Sequence, residues 1–94
     1  MDDHQLDSWD DDALLSAAAA SGDAFAAFYD RRLPTVVAYF RRRVARPDQA
    51  FDLAAETFAR VLGSVGSFDA ERGPAMAWVL RIARNLLIDA ERRR

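Results

Sequence analysis

The sequence contains no cysteine, so disulfide bridges and thiolate metal sites are excluded. It has a single histidine, His4, which rules against a histidine-built metal or catalytic cluster. Lysine is missing as well: all thirteen basic residues are arginine. A planar guanidinium suits two-pronged phosphate contact and stacking, although a codon bias toward arginine would give the same count. No apolar run approaches the roughly 20 residues of a bilayer span. The acidic start, MDDHQLDSWDDD, is the reverse of a secretory signal's basic opening. The expected location is therefore the cytoplasm, with no membrane partner. No alternating strand pattern and no glycine-rich hairpin signal occurs either, which leaves helices as the main element.

What is present is a 94-residue chain, 51% hydrophobic and 30% charged, enough for one core and too short for two. The net charge of -2 conceals a division. Residues 1–30 hold eight Asp and no Arg, whereas residues 31–94 hold all thirteen Arg against seven acids. A basic body behind an acidic leader points to a polyanionic partner. The leader, residues 1–10, reads as a flexible solubilising tail, with a weak internal mimic of the partner as the alternative.

Helical periodicity predicts four helices in an all-α compact bundle over residues 11–94. The first spans roughly Asp11 to Ala20, beginning in an Asp cluster and stopping at Ser21-Gly22. The second is capped by Asp23 and reaches about Ala45, with Phe25, Phe28, Tyr29, Val36, Val37 and Phe40 inward and Pro34 kinking it. The third starts from Asp48 and ends near Val65. A loop, Gly66 to Gly73, leads to a fourth helix opening at Pro74 and closing in Glu91-Arg92-Arg93-Arg94, a run that complements the helix dipole.

Two of these helices carry more than bundle patterning. In the third, Phe51, Ala54, Phe58, Leu62 and Val65 form the expected core stripe, with Asp52, Glu56 and Arg60 opposite. The simplest account of that opposite side is a solvated face with i, i+4 ion pairs. Leu53, placed beside Glu56 on the outer side, argues instead for an apolar spot ringed by charge, a docking face. In the fourth, Met76, Val79, Leu80, Ala83, Leu87 and Ala90 form the inner stripe, and Trp78, Arg81, Asn85, Asp89 and Arg92 the outer one. Trp flanked by Arg and Asn combines a stacking plate, phosphate donors and an amide that can read a base edge, the parts of a nucleic-acid surface. A Trp packed on a neighbouring helix among solvated arginines is the competing account.

Three blocks in order, Asp52-Leu53-Ala54-Ala55-Glu56-Thr57-Phe58-Ala59-Arg60, Phe68-Asp69-Ala70-Glu71-Arg72-Gly73-Pro74 and Ala77-Trp78-Val79-Leu80-Arg81-Ile82-Ala83-Arg84-Asn85, closely resemble region 2 of extracytoplasmic-function (ECF) sigma factors. The similarity extends upstream through Gly22-Asp23-Ala24-Phe25, Tyr29 and Arg41-Arg42-Arg43. The resemblance implies a non-enzymatic transcription initiation domain without cofactors. Its first partner would be core RNA polymerase, whose β′ clamp helices would meet Asp52, Leu53, Glu56, Thr57 and Arg60. Its second would be the single-stranded non-template strand of the promoter minus-ten element, held by Phe68, Arg72, Trp78, Arg81, Arg84, Asn85 and Arg92. An anti-sigma factor is the further partner class it suggests. Extruding a base costs a few kcal/mol and each aromatic stack returns about 1–3, so promoter melting needs several contacts and the polymerase behind them.

The sequence departs from the family pattern in three places. Ala55 stands where many relatives carry Gln, which removes one polar contact to the clamp. Ala75 and Met76 replace an aromatic and often a basic residue ahead of the Trp. No second, minus-thirty-five-reading domain follows Arg94, so the chain reads as a domain excerpt. The alternative to a sigma domain is an unrelated helical DNA-binding or protein-interaction module of the homeodomain type. Such a unit would have a short turn before its last helix and a recognition helix basic near its start, and this chain has a long loop and a helix most basic at its end. An enzyme built on the Asp10–Asp12 cluster, with a hard cation, lacks an evident nucleophile or base.

Overall fold

The computed structural model describes residues 3–93, with side chains from Gln5 to Arg93; Met1, Asp2 and Arg94, the last of the terminal arginines, lie outside them. The order is α1 (Asp3–Leu6), α2 (Asp11–Ala17), α3 (Gly22–Arg41), α4 (Pro47–Ser64) and α5 (Ala75–Arg92). Two short 3₁₀ turns, Val65–Ser67 and Ala70–Arg72, lie between α4 and α5. The all-α bundle of four main helices is the observed fold, with α1 as an additional single turn. Helix α4 packs against both α3 and α5, and α2 closes the bundle against α3 and the start of α5.

The helix starts follow local chemistry, with shifts from expectation. Ser21, rather than Asp23, caps α3, its Oγ accepting from the Ala24 amide at 3.1 Å. Asp23 lies in the first turn, where its charge favours the dipole. Likewise α4 opens on Pro47, and Asp48 sits inside the first turn paired with Arg46. Helix α3 also runs unbroken through Pro34. Pro34 and Asp30, whose carbonyl loses its helical partner to the proline, are both exposed, so water can satisfy that carbonyl.

The core is built from Leu14 and Leu15 of α2, Phe28, Val36 and Phe40 of α3, Ala54, Phe58 and Val61 of α4, and Val79, Ala83 and Leu86 of α5. Phe58 meets Phe28 and Tyr29 edge-on, at centroid distances of 6.3 and 4.9 Å, which joins α3 to α4 by aromatic contacts. Helix α5 turns the expected side inward. Val79, Ala83 and Leu87 are buried, Met76, Leu80 and Ala90 are partly so, and Leu86 joins them.

Helix α4 is rotated relative to its expected orientation. Its buried residues are Ala50, Leu53, Ala54, Thr57, Phe58 and Val61, whereas Phe51 and Leu62, expected inside, are 55% and 53% exposed. At about 100° per residue this turns the buried arc by roughly 60° toward the Leu53 and Thr57 side. Small Ala50 and Ala54 let neighbouring helices approach closely, and Leu53 and Val61 fill the space beside them. Thr57 is wholly buried without an orphaned hydroxyl, because Oγ1 donates to the Leu53 carbonyl at 2.7 Å.

Residues 5–10 do not form the expected flexible tail. Leu6 is fully buried in the core and Trp9 packs against it. Arg31 of α3 gathers this segment: one guanidinium nitrogen donates to the Trp9 carbonyl at 2.8 Å and the other to the Leu6 and Asp7 carbonyls at 3.4 Å. A single arginine thereby satisfies carbonyls at the end of α1 and in the turn after it.

Candidate nucleic-acid interface

The connection from α4 to α5 is built by side-chain and backbone turns rather than by packing alone. Ser67 Oγ donates to the Ser64 carbonyl at 2.7 Å, and Asp69 caps the second 3₁₀ turn by accepting from the Glu71 amide at 3.0 Å. Gly73 follows at φ +145°, a conformation that a side chain would strain, and turns the chain into Pro74 and α5. The loop folds back on the first turns of α5. Phe68 meets Trp78 with ring centroids 5.4 Å apart and planes inclined by 58°.

This aromatic pair lines a cleft of about 120 Å³ whose walls also include Asp69, Arg72 and Arg81. Phe68 and Trp78 are half-buried: both line the cleft and both pack against the core. Arg72, Arg81, Arg84, Asn85 and Arg92 are exposed. Among the described residues, none of these four arginines forms an ion pair with an acid. Around α5, Trp78, Arg81, Asn85 and Arg92 fall within about 60° of one another, and Asn85 lies about 10 Å along the axis from Trp78. The helix thus extends the cleft into an edge that carries Arg81 and Arg92, with Asp89 in the same arc. Arg84 sits farther round, about 120° from Trp78, and outside that edge.

The expected docking residues on α4 divide. Asp52, Glu56 and Arg60 are exposed on one side, with Glu56 and Arg60 4.0 Å apart as an i, i+4 pair. Leu53 and Thr57 are corrected: both are buried, facing α3 and α5 through the rotation of α4, and offer no surface to a partner. Phe51 and Leu62, expected inside, are exposed instead, about 80° or more round α4 from Asp52, Glu56 and Arg60. An equally good apolar spacing through Ala50, Leu53, Ala54, Thr57 and Val61 was the signal for it in the sequence.

The acids at the start of α2 do not converge. Asp10 Oδ1 accepts from the Ala13 amide at 2.8 Å and caps α2. Asp11 pairs with Arg31 at 3.3 Å and Arg32 at 2.8 Å. Asp12 Oδ1 accepts from the Ala75 amide, at the start of α5, at 2.7 Å. Three carboxylates on three separate partners are not arranged as cation ligands, and among the described residues no acid or histidine cluster is. No helix among them is long and apolar enough to cross a membrane.

A family model described as sigma-70 region 2 matches residues 28–94, a range containing both the cleft and the exposed face of α4. The chain belongs to this family, as an ECF-type member. It is 41% identical over 73 residues to the ECF RNA polymerase sigma factor BldN of Streptomyces coelicolor, covering 78% of this chain and 28% of that protein. With the ECF RNA polymerase sigma factor SigK of Mycobacterium sp. strain KMS it shares 34% over 79 residues, 84% of this chain and 41% of the relative. The region 2 domain therefore spans less than half the length of these curated relatives. No solved structure matches it significantly.

Proposed function

We propose that this domain serves transcription initiation as a non-catalytic factor, docking on core RNA polymerase through α4 and capturing the non-template strand of the minus-ten element at the cleft and along α5. The observation that carries this reading is the Phe68–Trp78 pair beside Arg72 and Arg81 in one cleft. A half-exposed aromatic wall accepts the face of an unstacked base, and guanidiniums without acid partners are available to the flanking phosphates. Asn85, about two helical turns along from Trp78, presents an amide that can address a base edge. Docking on the β′ clamp helices falls to Asp52, Glu56 and Arg60, with Phe51 and Leu62 as apolar flank and Ala55 between them. Polymerase then supplies the remaining free energy of strand separation.

The test is binding of labelled minus-ten non-template oligonucleotides to the domain with core polymerase, over a salt series. Arg81→Ala and Arg92→Ala should weaken every single strand and lower the salt slope by about one unit for each phosphate left unneutralised, with sequence preference intact. Asn85→Ala should relax preference at one position by about 1–3 kcal/mol and hardly change binding to mismatched strands. Glu56→Arg should abolish polymerase binding with helicity unchanged. Equal weakening of all oligonucleotides by Asn85→Ala contradicts its role as a reader.

A further inference from the structure

We propose that Asp12 is a positioning residue for strand capture: from α2 it caps the helix that carries Trp78 and holds the junction of loop and α5 in register. The inference rests on the strand-capture reading of the cleft and assigns that site a support 63 residues away in sequence.

The first N–H groups of any helix lack intrahelical partners. At α5 the usual local remedy is missing, since Pro74 occupies the N-cap position with no side-chain hydrogen bond and Ala75, Met76 and Ala77 bring no acceptor of their own. Ala75 is completely buried, so its N–H is shielded from water. The Asp12 carboxylate accepts that N–H at 2.7 Å and sets a negative charge at the positive end of the α5 dipole. Its own position is stiff, because Asp10 caps α2 and Asp11 ties it to Arg31 and Arg32 of α3.

Past the cap, the Ala77 and Trp78 amides both donate to the Pro74 carbonyl, at 3.1 and 3.3 Å. The turn that Asp12 anchors is therefore the one that aims Trp78 at Phe68. Immediately before it stands Gly73 at φ +145°, where the backbone is least restrained by its own side chain. Without the cap, the Pro74–Trp78 turn frays and the aromatic wall loses its fixed spacing.

The sign of the effect separates this role from simple electrostatics. Removing a negative charge near a DNA site should tighten binding, whereas loss of a positioning cap should weaken it. In the presence of core polymerase, Asp12→Ala should reduce affinity for the minus-ten non-template oligonucleotide about five- to tenfold with an unchanged salt slope. Amide exchange at Ala75–Trp78 should accelerate by a similar factor, and polymerase affinity should stay as it was. Asp12→Asn, whose amide oxygen can still accept, should recover most of the oligonucleotide affinity and of the exchange protection, and it provides a folded comparison if Asp12→Ala is unstable. Unchanged exchange at Ala75–Trp78 in Asp12→Ala, or tighter oligonucleotide binding in both variants, overturns the proposal. So does unchanged binding in Asp12→Ala while Arg81→Ala loses affinity, which leaves the strand-capture reading standing. If Arg81→Ala also binds unchanged, that reading falls as well.

Discussion

The Asp10–Asp12 segment and the arginines of the loop and α5 are both dense in charge, and the fold uses them in opposite ways. Each of the three acids is engaged internally, as a cap, an ion-pair hub and a tertiary cap. Arg72, Arg81, Arg84 and Arg92 are exposed and, among the described residues, have no acidic partner. Charge density alone therefore does not mark an interface. What distinguishes the two regions is whether the fold already supplies the counter-charge or the hydrogen-bond partner. The same division recurs along α4, where Leu53 is part of the core and Leu62 lies on the surface.

The largest expected effect lies at those two leucines. Leu53→Ala should cost about 2–5 kcal/mol by removing packed methyl groups from between helices. Leu62→Ala should stay within about 0.5 kcal/mol of the parent. Urea unfolding followed by circular dichroism measures both, and equal losses would mean that Leu62 packs as core. Only Leu62→Ser should also weaken the capture of core polymerase.

The next largest effect belongs to the acidic hub. Asp11→Ala should lower stability by about 1–3 kcal/mol, since it removes hydrogen bonds to charged donors at a mostly buried carboxylate. The loss is shared between the two arms, since Arg32 makes the closer contact, through Nε and Nη2 at 2.8 Å, and Arg31, at 3.3 Å, is the less exposed. Hydrogen exchange sharpens the point: release of Arg31 should loosen residues 5–10 before the rest of the bundle. A variant as stable as the parent, with those residues still protected, would show that Leu6 and Trp9 hold the segment unaided.

Much of this was legible in the sequence where the determinants are local. Periodicity located the four main helices and the inner side of α5, because Val79, Ala83 and Leu87 repeat at helical spacing without a competing stripe. In α4 two stripes competed. One contained Phe51 and Leu62, the other Leu53, Thr57 and Val61, and only the simultaneous packing of α4 on α3 and α5 decides between them. The docking of Leu6 and the Asp12 cap were illegible for a related reason. Both are contacts between residues distant in sequence, and an aspartate that completes another helix looks the same in sequence as one that faces water. Trp78 was legible as a plate beside arginine, but its pairing with Phe68 depends on how the loop folds back, which spacing does not encode.

The smallest expected effect is at the entrance to α4, where a charge pair is formed at the surface. Arg46 donates to Asp48 through Nη2 at 2.6 Å and Nε at 3.2 Å. That hydrogen bonding holds the Asp48 carboxyl below its ordinary value and raises the Arg46 guanidinium above its own. A carboxyl lowered on folding favours the ionised folded state, so its contribution is complete above the unfolded value, about 3.9, and disappears as pH falls through the lower folded value. Melting temperatures of the parent and of Arg46→Gln, compared from pH 7 to pH 2, should therefore converge at the acid end. Because both groups lie open to solvent, the gap at neutral pH should be small and should close in high salt. A gap that persists unchanged through acid and salt would show that Arg46 acts through packing of its aliphatic stem rather than through its charge.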